Sequence, residues 1–360
     1  MHGRHVIAVA GTHGKTTTSS MAAVALREAE LDPSWAIGAH VADLGANAGF
    51  GEGDWFVAEA DESDGSFMAY HPTVAVVTNI EPDHLDHYGS AEAFYQAFDE
   101  FSDTIRTGGT LVACADDPGA ARLAERRRAS GAPVLTYGAD PSADVVVSEV
   151  TPHGTGSSCR LDFPAAGERR TAELRLAVPG AHNVADAAAA FTAGLAAGAD
   201  PVRLLCGLAG FHGSARRFDL RGEQDGVRVF DDYAHHPTEV AAALTAARDV
   251  AGEHRVLVVF QPHLYSRTRE FAEPFCRALE LADLACVLDV FGAREQPEPG
   301  VTGESITRFA DGAAVVSTPA AEDAIAAVVA RAAPGDVVMT VGAGDVTALG
   351  PEILSALARR

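Results

Sequence analysis

The strongest constraint on this chain is a glycine loop that stands between an apolar run and a helical stretch. The loop reads Gly11-Thr-His-Gly-Lys-Thr-Thr-Thr18, follows the apolar residues 5–10 and precedes the helix-like residues 19–29. Glycines let backbone N–H groups approach phosphate oxygens, and a helix N-terminus adds the positive end of its dipole. The pattern therefore predicts a phosphate-binding loop at the carboxyl end of a strand.

The side chains of this loop suit a nucleotide triphosphate with magnesium. Lys15 supplies a positive charge for phosphate, and Thr16 supplies a hydroxyl for Mg²⁺. The spacing is shorter than in the common phosphate loop, because Val9 stands where that loop has a glycine. A bare Gly-Lys-Thr also occurs in flexible turns, so the prediction depends on the flanking strand and helix.

The composition is that of a globular protein of one to three domains. The chain has 360 residues, and no apolar run is long enough for a membrane span. A net charge of −23 argues against non-specific binding to nucleic acid or to anionic membranes. The five cysteines are scattered and form no Cys-x-x-Cys pair, which predicts neither a disulfide framework nor a zinc cluster and fits a cytoplasmic location.

Alternating strand-like and helix-like segments predict an α/β fold in two halves. In the first half, apolar runs alternate with alanine-rich helical segments, which favours a mostly parallel sheet with helices on its faces. Residues 143–178 interrupt that order with three short β-like runs and predict an antiparallel insertion or an extension of the sheet. A second β-α-β series begins near Gly213 and has the size of a Rossmann-like domain.

Acidic residues cluster where a strand of the first half ends. The run Trp55–Asp64 carries Glu59, Asp61, Glu62 and Asp64 at or beyond the carboxyl end of its strand, where ligands bind in open α/β sheets. One such acid would be a solvated turn residue. Four beside a phosphate loop favour a Mg²⁺ site.

The next strand also ends in polar residues, in the segment Thr78–Tyr88. His84 lies there between two aspartates and could bind a second Mg²⁺ or orient a carboxylate. A single histidine is more often structural. Because His84 lies at the end of a second strand, a role in the site is at least as well supported as a structural role.

Seven motifs occur in the order found in the Mur ligases, and the chain resembles that family from residue 5 to about 350. The similarity is greatest to the branch that joins L-alanine to UDP-N-acetylmuramate. The motifs are Gly11–Thr18, Glu59–Asp64, Thr78–Tyr88, Gly180–Asn183, Arg216–Asp219, Asp231–Pro237 and Phe260–Thr268.

The resemblance implies a fold and a reaction. It implies a central ATP-binding domain with a mostly parallel sheet over residues 1–212 and a Rossmann-like C-terminal domain over residues 213–360. ATP would phosphorylate a substrate carboxylate, and an amino group would then attack the acyl phosphate and release phosphate. Charge neutralisation and positioning would supply most of the catalysis.

The resemblance also implies roles for individual residues. Lys15, His84 and Arg216 would be catalytic, and Arg216 would reach the γ-phosphate through a guanidinium fork. Mg²⁺ ions would be held by Thr16, Glu59 and His84. ATP would contact Gly11, Thr12, His13, Gly14, Lys15, Thr16, Thr17 and Arg216, with Asn183 near the base and Asp232 at the ribose. His235, His263 and Arg267 would line the side of the cleft that takes the amino acid or the sugar acid.

Three departures from the family pattern bear on function. Several Mur ligases carry a carbamylated lysine fourteen residues after the motif histidine, and Phe98 stands there in this chain, as in the L-alanine-adding branch. Asp186 replaces a common asparagine and cannot donate as an amide does. Only ten residues precede Gly11, whereas the family places a UDP-binding domain of about a hundred residues there.

The short N-terminal region leaves three hypotheses open. In the first, the chain is the L-alanine ligase, and the UDP-binding domain comes from a separate chain or from sequence ahead of this start. In the second, a related amide ligase uses a smaller carboxylic acid in secondary metabolism. In the third, the chain is a non-catalytic ATP-binding subunit, against which the complete set of polar site residues argues.

Overall fold

The computed structural model describes residues 3–165 and 167–360, without the side chains of Leu85 and Asp86. The chain forms two compact units. The first comprises residues up to Thr151 together with Gly156–Ser214, and the second comprises Ala215–Arg360 together with Pro152–Thr155. None of the described helices is both long and apolar enough to cross a membrane.

The first unit is built on a sheet of ten strands in the order β10-β9-β8-β7-β6-β5-β1-β4-β2-β3. The strands are β1 His5–Ala10, β2 Ser34–Val41, β3 Ala46–Gly49, β4 Trp55–Glu59, β5 Val74–Val77, β6 Thr110–Cys114, β7 Val134–Gly138, β8 Val145–His153, β9 Gly156–Ala165 and β10 Glu168–Leu176. The helices are α1 Lys15–Glu28, α2 Leu85–Tyr88, α3 Ala91–Asp103, α4 Pro118–Ala129, α5 Ala181–Ala196 and α6 Pro201–Ala209, with short 3₁₀ turns at Ala42–Leu44 and Ser66–Ala69.

The central strands of this sheet are parallel and buried. β1 pairs in parallel with β4 on one side and with β5 on the other, and Val6–Ala10 are fully buried. Strands buried on both faces read as continuous apolar runs, which is why these strands were recognisable in the sequence. Because β1, β4 and β5 run in the same direction, their carboxyl ends meet at one edge of the sheet.

The segment 143–178 extends the same sheet. Of the two predicted arrangements, an antiparallel insertion or an extension of the sheet, the structure has the extension. β8 joins β7 in parallel, and β9 and β10 pair in antiparallel register at the end of the sheet. Charged residues populate the outer strand β10, a common protection for an unpaired sheet edge.

Phe98 lies in an aromatic cluster of the core. Its ring makes edge contacts with Phe67 at 5.4 Å and with Phe94 at 5.2 Å between centroids, and all three side chains are fully buried. The position that carries an anionic metal ligand in several Mur ligases is thus a packing position in this chain.

The second unit contains a sheet of six strands in the order β11-β12-β16-β13-β14-β15. The strands are β11 Asp219–Gln224, β12 Val227–Asp232, β13 Val256–Phe260, β14 Leu284–Val287, β15 Val315–Ser317 and β16 Val337–Val341. The helices are α7 Pro237–Ala251, α8 Tyr265–Glu270, α9 Ala272–Leu279, α10 Glu304–Thr307, α11 Ala321–Arg331 and α12 Leu349–Leu357, with a 3₁₀ turn at Asp345–Ala348. All strand pairs are parallel except that between β11 and β12.

The mixed α/β class with a large, mostly parallel sheet is confirmed, and four details differ from the sequence-based expectation. The first helix begins at Lys15 and not near Ser19. The pattern of residues 266–281 predicts a single helix, but the structure has two helices that meet at Phe271. The apolar character of residues 73–80 predicts a strand over that whole range, but the observed strand covers only Val74–Val77. Six elements were not predicted: β2, β3, β11, α2, α6 and α10.

Candidate functional site

The glycine loop joins β1 to α1 in a conformation that needs its glycines. Gly11 has φ 129° and Gly14 has φ 81°, both in the region that disfavours L side chains. A Cβ on Gly11 would lie 2.1 Å from Oγ1 of Thr78. Among the described residues, no side chain caps α1, so the backbone N–H groups of its first turn suit an anion.

A second loop, Thr78–Glu81 after β5, holds the glycine loop in place through hydrogen bonds in both directions. Oγ1 of Thr12 donates to the carbonyl of Glu81 at 2.7 Å and accepts from the N–H of Glu81 at 3.0 Å. The N–H of His13 donates to Oδ1 of Asn79 at 2.8 Å, and Oγ1 of Thr78 donates to the carbonyl of His13 at 2.6 Å. His13 Nε2 also lies 2.9 Å from Glu81.

Lys15 is the only lysine in the chain, and it forms a buried ion pair with Glu62. Its Nζ lies 2.8 Å and 3.0 Å from the two carboxylate oxygens, and the side chains are 14% and 1% exposed. Nζ also donates to the carbonyls of Gly11 at 2.7 Å and Thr12 at 3.1 Å. Burial is the largest single effect and lowers the pKa of Lys15, but the carboxylates of Glu62, Asp61 and Glu59, with Glu62 foremost, together raise that pKa above its usual value.

Thr16 and Glu59 form an oxygen-rich pair beside Lys15. Oγ1 of Thr16 donates to Oε1 of Glu59 at 2.9 Å, and Oε2 of Glu59 accepts from the N–H of Gly38 at 2.6 Å. Thr17 is buried in the same turn of α1. Mg²⁺ prefers a few carboxylate and hydroxyl oxygens together with phosphate and water, so this pair fits the ion.

The other two acids of the β4 end hydrogen-bond within their own turns. Asp61 and Asp64 are exposed, and they accept hydrogen bonds from the N–H groups of Ser63 and Ser66, two residues further on. These are local turn interactions. The structure thus separates the acidic run into two inward carboxylates, Glu59 and Glu62, and two outward ones.

His84 lies on the loop after β5, near Glu62. Its backbone has φ 54°, an uncommon conformation for a residue other than glycine, and its N–H donates to Asp83 at 2.8 Å. Nε2 lies 4.0 Å from Oε1 of Glu62 and 3.7 Å from Oδ2 of Asp83. The hydroxyl of Tyr88 donates to the carbonyl of Glu62, and burial raises the pKa of Tyr88 to about 12.

The first turns of α5 bring polar groups toward the start of α1. Oδ1 of Asp186 accepts from Oγ1 of Thr18 at 3.0 Å, and a Cβ on Gly14 would lie 2.4 Å from that oxygen. At this position the family often has an amide, and here the carboxylate of Asp186 acts as a hydrogen-bond acceptor for Thr18. Asn183 is buried and donates through Nδ2 to the carbonyl of Pro179 at 2.6 Å.

In the second unit, Arg216 is held by groups from two segments, Asp231–Tyr233 and Gly342–Gly344. Its Nε donates to Oδ2 of Asp231 at 3.1 Å, and Nη2 donates to the carbonyls of Gly342 at 2.6 Å and Gly344 at 3.2 Å. The guanidinium carbon lies 4.7 Å from the ring centre of Tyr233. The backbone of Arg216 has φ 60°, and its carbonyl accepts from the N–H of Tyr233 at 2.8 Å.

Asp231 and Asp232 point to opposite faces of β12, as neighbouring residues of a strand do. Asp232 uses its two oxygens to accept from the N–H groups of Phe218 and Ala234, each at 2.8 Å. Burial raises the pKa of Asp232 to about 6, although Arg217 and these N–H groups oppose the shift. Asp231, fully buried, faces Arg216.

The three residues expected at the amino-acid side lie in the second unit around one aromatic cluster. His235 Nδ1 is 3.1 Å from Glu239, and the rings of His235 and His263 are 6.2 Å apart. The ring of His263 stacks on Phe291 at 5.9 Å, and Arg267 is buried in α8. Burial and nearby positive charges lower the pKa of His263 to about 4, so its imidazole is neutral at pH 7.

Within each unit, part of the set of sequence-predicted residues lies together, whereas Asn183 hydrogen-bonds to Pro179 of its own segment. The first unit brings together Lys15, Thr16, Glu59 and His84, and the second brings together Arg216, His235 and His263 with their neighbours. Glu62 was predicted as one of four equivalent acids, and its pairing with Lys15 was not. Asp231 was missed, although the period-two alternation of a strand would have placed its side chain opposite that of Asp232.

The chain is similar to known proteins over essentially its whole length. A sequence model of the Mur ligase middle domain matches residues 9–194, and a model described as the Mur ligase glutamate ligase domain matches residues 216–344. A UDP-N-acetylmuramate–L-alanine ligase of Kineococcus radiotolerans is 58% identical over all of this chain and 76% of its own length. The enzyme of that name from Paenarthrobacter aurescens is 54% identical, covering 99% of this chain and 76% of its own length.

Solved structures show the same fold. The MurC structure of Thermotoga maritima superimposes with a TM-score of 0.79 at 26% identity, covering 98% of this chain and 75% of that protein. A MurF ligase of Thermotoga maritima, solved with ADP, shares the fold at a TM-score of 0.75 and 18% identity, covering 99% of this chain and 79% of that one. Since these relatives are longer than this chain, the comparisons give no support to a separate UDP-binding chain.

Proposed function

Because the chain belongs to the Mur ligase family, we propose that it joins L-alanine to UDP-N-acetylmuramate with the hydrolysis of ATP to ADP and phosphate. The observation that carries this proposal is the match to ligases of that name over essentially the whole chain at 52–58% identity. The buried pair of Lys15 and Glu62, beside the oxygen pair of Thr16 and Glu59, supports the ATP-dependent part.

The proposed reaction has two steps. A carboxylate oxygen of the sugar acid bonds to the γ-phosphorus of ATP, and the bond to ADP breaks. The amino group of L-alanine then attacks the acyl carbon, and the amide forms as phosphate leaves and a proton is lost. Both steps move negative charge, so catalysis depends on cationic groups and donors that are already in place.

The residues of the first unit would bind and neutralise the phosphates. Lys15 would exchange its contacts with loop carbonyls for phosphate oxygens, and the N–H groups at the start of α1 would donate to the same oxygens. Thr16 and Glu59 would hold one Mg²⁺ and His84 a second. Mg²⁺ would supply charge stabilisation at the transferring phosphoryl group.

The residues of the second unit would contact the same substrates. Arg216 would contact the γ-phosphate, and Asp232 would bind the ribose. His235, His263 and Arg267 would orient the amino acid or the sugar acid. The neutral imidazole of His263 would accept a hydrogen bond from the substrate through a ring nitrogen.

Two assignments follow from the same proposal. Residues 1–212 would be the central ATP-binding domain, with Asn183 near the nucleotide base, and residues 213–360 would be the C-terminal domain. Because the reaction consumes ATP and a sugar nucleotide, both cytoplasmic metabolites, we place the protein in the cytoplasm.

A substrate panel tests the proposal. The purified chain is incubated with ATP, Mg²⁺, UDP-N-acetylmuramate and single amino acids, and phosphate release and product mass are recorded. We expect phosphate release that depends on L-alanine, together with a product heavier than the sugar nucleotide by one alanine residue. Lys15→Ala should abolish both signals, and Arg170→Ala, a change on exposed strand β10, should leave them unchanged.

Other results would lead to a different conclusion. Turnover with another carboxylic acid but not with UDP-N-acetylmuramate would favour the related ligase with a smaller substrate. Tight ATP binding without turnover of any acceptor would favour the non-catalytic subunit. Unchanged turnover in Lys15→Ala would remove the glycine loop from the mechanism.

A further inference from the structure

Asp231 lies directly behind the arginine that the proposed function places on the γ-phosphate. Its side chain is fully buried, and each of its oxygens accepts a hydrogen bond from a threonine. Oδ1 accepts from Oγ1 of Thr340 at 2.7 Å, and Oδ2 accepts from Oγ1 of Thr347 at 2.8 Å. Oδ2 also accepts from Nε of Arg216 at 3.1 Å.

The contacts of Arg216 leave one nitrogen for a ligand. Nε is bound by Asp231, and Nη2 is bound by the carbonyls of Gly342 and Gly344. Across residues 3–165 and 167–360, no group accepts a hydrogen bond from Nη1. The guanidinium is therefore held through Nε and Nη2, which leaves Nη1 as the nitrogen that can donate to a ligand.

A purely structural role explains Asp231 poorly. Moving a carboxylate from water into a protein interior costs several kcal/mol, and an apolar side chain of similar size often gives equal or greater stability. Thr340 lies opposite Asp231 in the register of β16 and β12, and Thr347 comes from the 3₁₀ turn that follows β16. Two elements thus direct donors at this carboxylate and fix the oxygen that Arg216 contacts.

We propose that Asp231 is a positioning residue that, through Arg216, lets the protein distinguish a nucleoside triphosphate from a diphosphate. This inference rests on the proposed function, which places Arg216 on the γ-phosphate. Asp231 holds Nε so that the remaining nitrogen meets the terminal phosphate in the geometry of a charge-assisted hydrogen bond. Because the β-phosphate is not its target, loss of Asp231 weakens triphosphate binding and leaves ADP binding unchanged.

Calorimetric titration with a non-hydrolysable ATP analogue and with ADP, in the full chain, tests this inference. Asp231→Asn should reduce the preference for the analogue over ADP by about tenfold, as expected for one weakened charge-assisted hydrogen bond. Thr347→Val, which keeps the carboxylate but removes one of its supports, should change the preference in the same direction by a smaller factor. Asp345→Asn, an exposed change in the same 3₁₀ turn, should leave the preference unchanged.

A double-mutant cycle separates positioning from stability. In an Arg216→Ala background, Asp231→Asn should have no further effect on nucleotide preference and should raise the thermal midpoint, because it removes a buried carboxylate that has lost its cation. An equal loss of preference with and without Arg216 would overturn the inference. So would an unchanged preference in a folded Asp231→Asn protein.

The cycle also separates this inference from the proposed function. If Arg216→Ala itself leaves the preference unchanged, the γ-phosphate role of Arg216 is wrong. If Arg216→Ala abolishes the preference and Asp231→Asn does not alter it, only the role of Asp231 is wrong. Neither measurement requires turnover of L-alanine.

Discussion

Replacing Glu62 by leucine would leave the ammonium of Lys15 buried without its carboxylate. Both oxygens of Glu62 lie within 3.0 Å of Nζ, and its side chain is only 1% exposed. Removing one partner of a buried ion pair costs about 3–5 kcal/mol. Because the carbonyls of Gly11 and Thr12 still accept from Nζ, we expect the free energy of unfolding to fall by about 3 kcal/mol, the lower end of that range.

Urea unfolding followed by tryptophan fluorescence measures this loss in the correct unit, since the only two tryptophans, Trp35 and Trp55, both lie in the first unit. Asp61→Asn, an exposed change one position away, should alter the free energy of unfolding by less than about 0.5 kcal/mol. The double variant Lys15→Met with Glu62→Leu should regain most of the loss, because it removes both charges.

The single lysine offers a second, independent measurement. The carboxylate of Glu62 raises the pKa of Lys15 against the effect of burial, so Glu62→Leu should lower that pKa. A neutral amine reacts with acylating esters and an ammonium does not. At pH 8 we expect faster acylation of Lys15 in the variant, visible as an increase in intact mass, with the α-amino group as internal reference.

Two results together would refute this reasoning. One is a loss of less than about 1 kcal/mol for Glu62→Leu, the size of an exposed ion pair. The other is an acylation rate that equals that of the parent protein. Both would mean that water screens the pair and that Glu62 does not control the charge of the lysine.

Three further predictions concern the loop, the metal and pH. Gly11→Ala should weaken ATP binding at least about tenfold in calorimetry, because its Cβ would lie 2.1 Å from Oγ1 of Thr78; unchanged affinity would contradict the loop geometry. Thr16→Val should reduce the dependence of ATP affinity on Mg²⁺, because Glu59 and His84 remain, while Thr16→Ser keeps the full dependence; an undiminished dependence in the valine variant would contradict the proposed ligand. Because the pKa of His263 is about 4 in the fold against an ordinary 6.5, the native state resists its protonation, and stability falls as pH decreases from 6.5 toward 4. His263→Gln should reduce that fall by about 1 kcal/mol, allowing for partial exposure, in denaturant titrations followed by far-UV circular dichroism; an unaltered pH slope would contradict the burial of the imidazole.

Strongly apolar elements were predictable from the sequence, and polar edge elements were not. The buried strand β1 has an unbroken apolar run, whereas the outer strand β11 reads Asp219–Gln224 and carries no apolar alternation. The start of α1 was placed too late because Thr16, Thr17 and Thr18 have low helix propensity. Burial of this turn against the sheet and α5 overrides that preference.

For the site, residue types and strand ends were predictable, and side-chain partners were not. The motif order identified Lys15, Thr16 and Glu59, which the structure brings together. Which of four acids pairs with Lys15 depends on the direction of each side chain after β4 ends, where no period constrains the chain. In β12 the side chains alternate between the two faces of the sheet, so Asp231 and Asp232 point in opposite directions.

The hydrogen bonds between Thr12 and Glu81, and between His13 and the loop after β5, affect the thermodynamics of ligand binding. Fixing the backbone of one residue reduces conformational entropy by an amount equivalent to about 1–2 kcal/mol. In this protein the glycine loop loses that freedom when the chain folds. A phosphate that binds there meets donors already arranged, so the ordering of the loop does not reduce the observed affinity. Nucleotide binding to this loop should therefore show a small entropic penalty. Thr12→Val should increase that penalty, because it removes hydrogen bonds that order the loop but none of the backbone donors to phosphate.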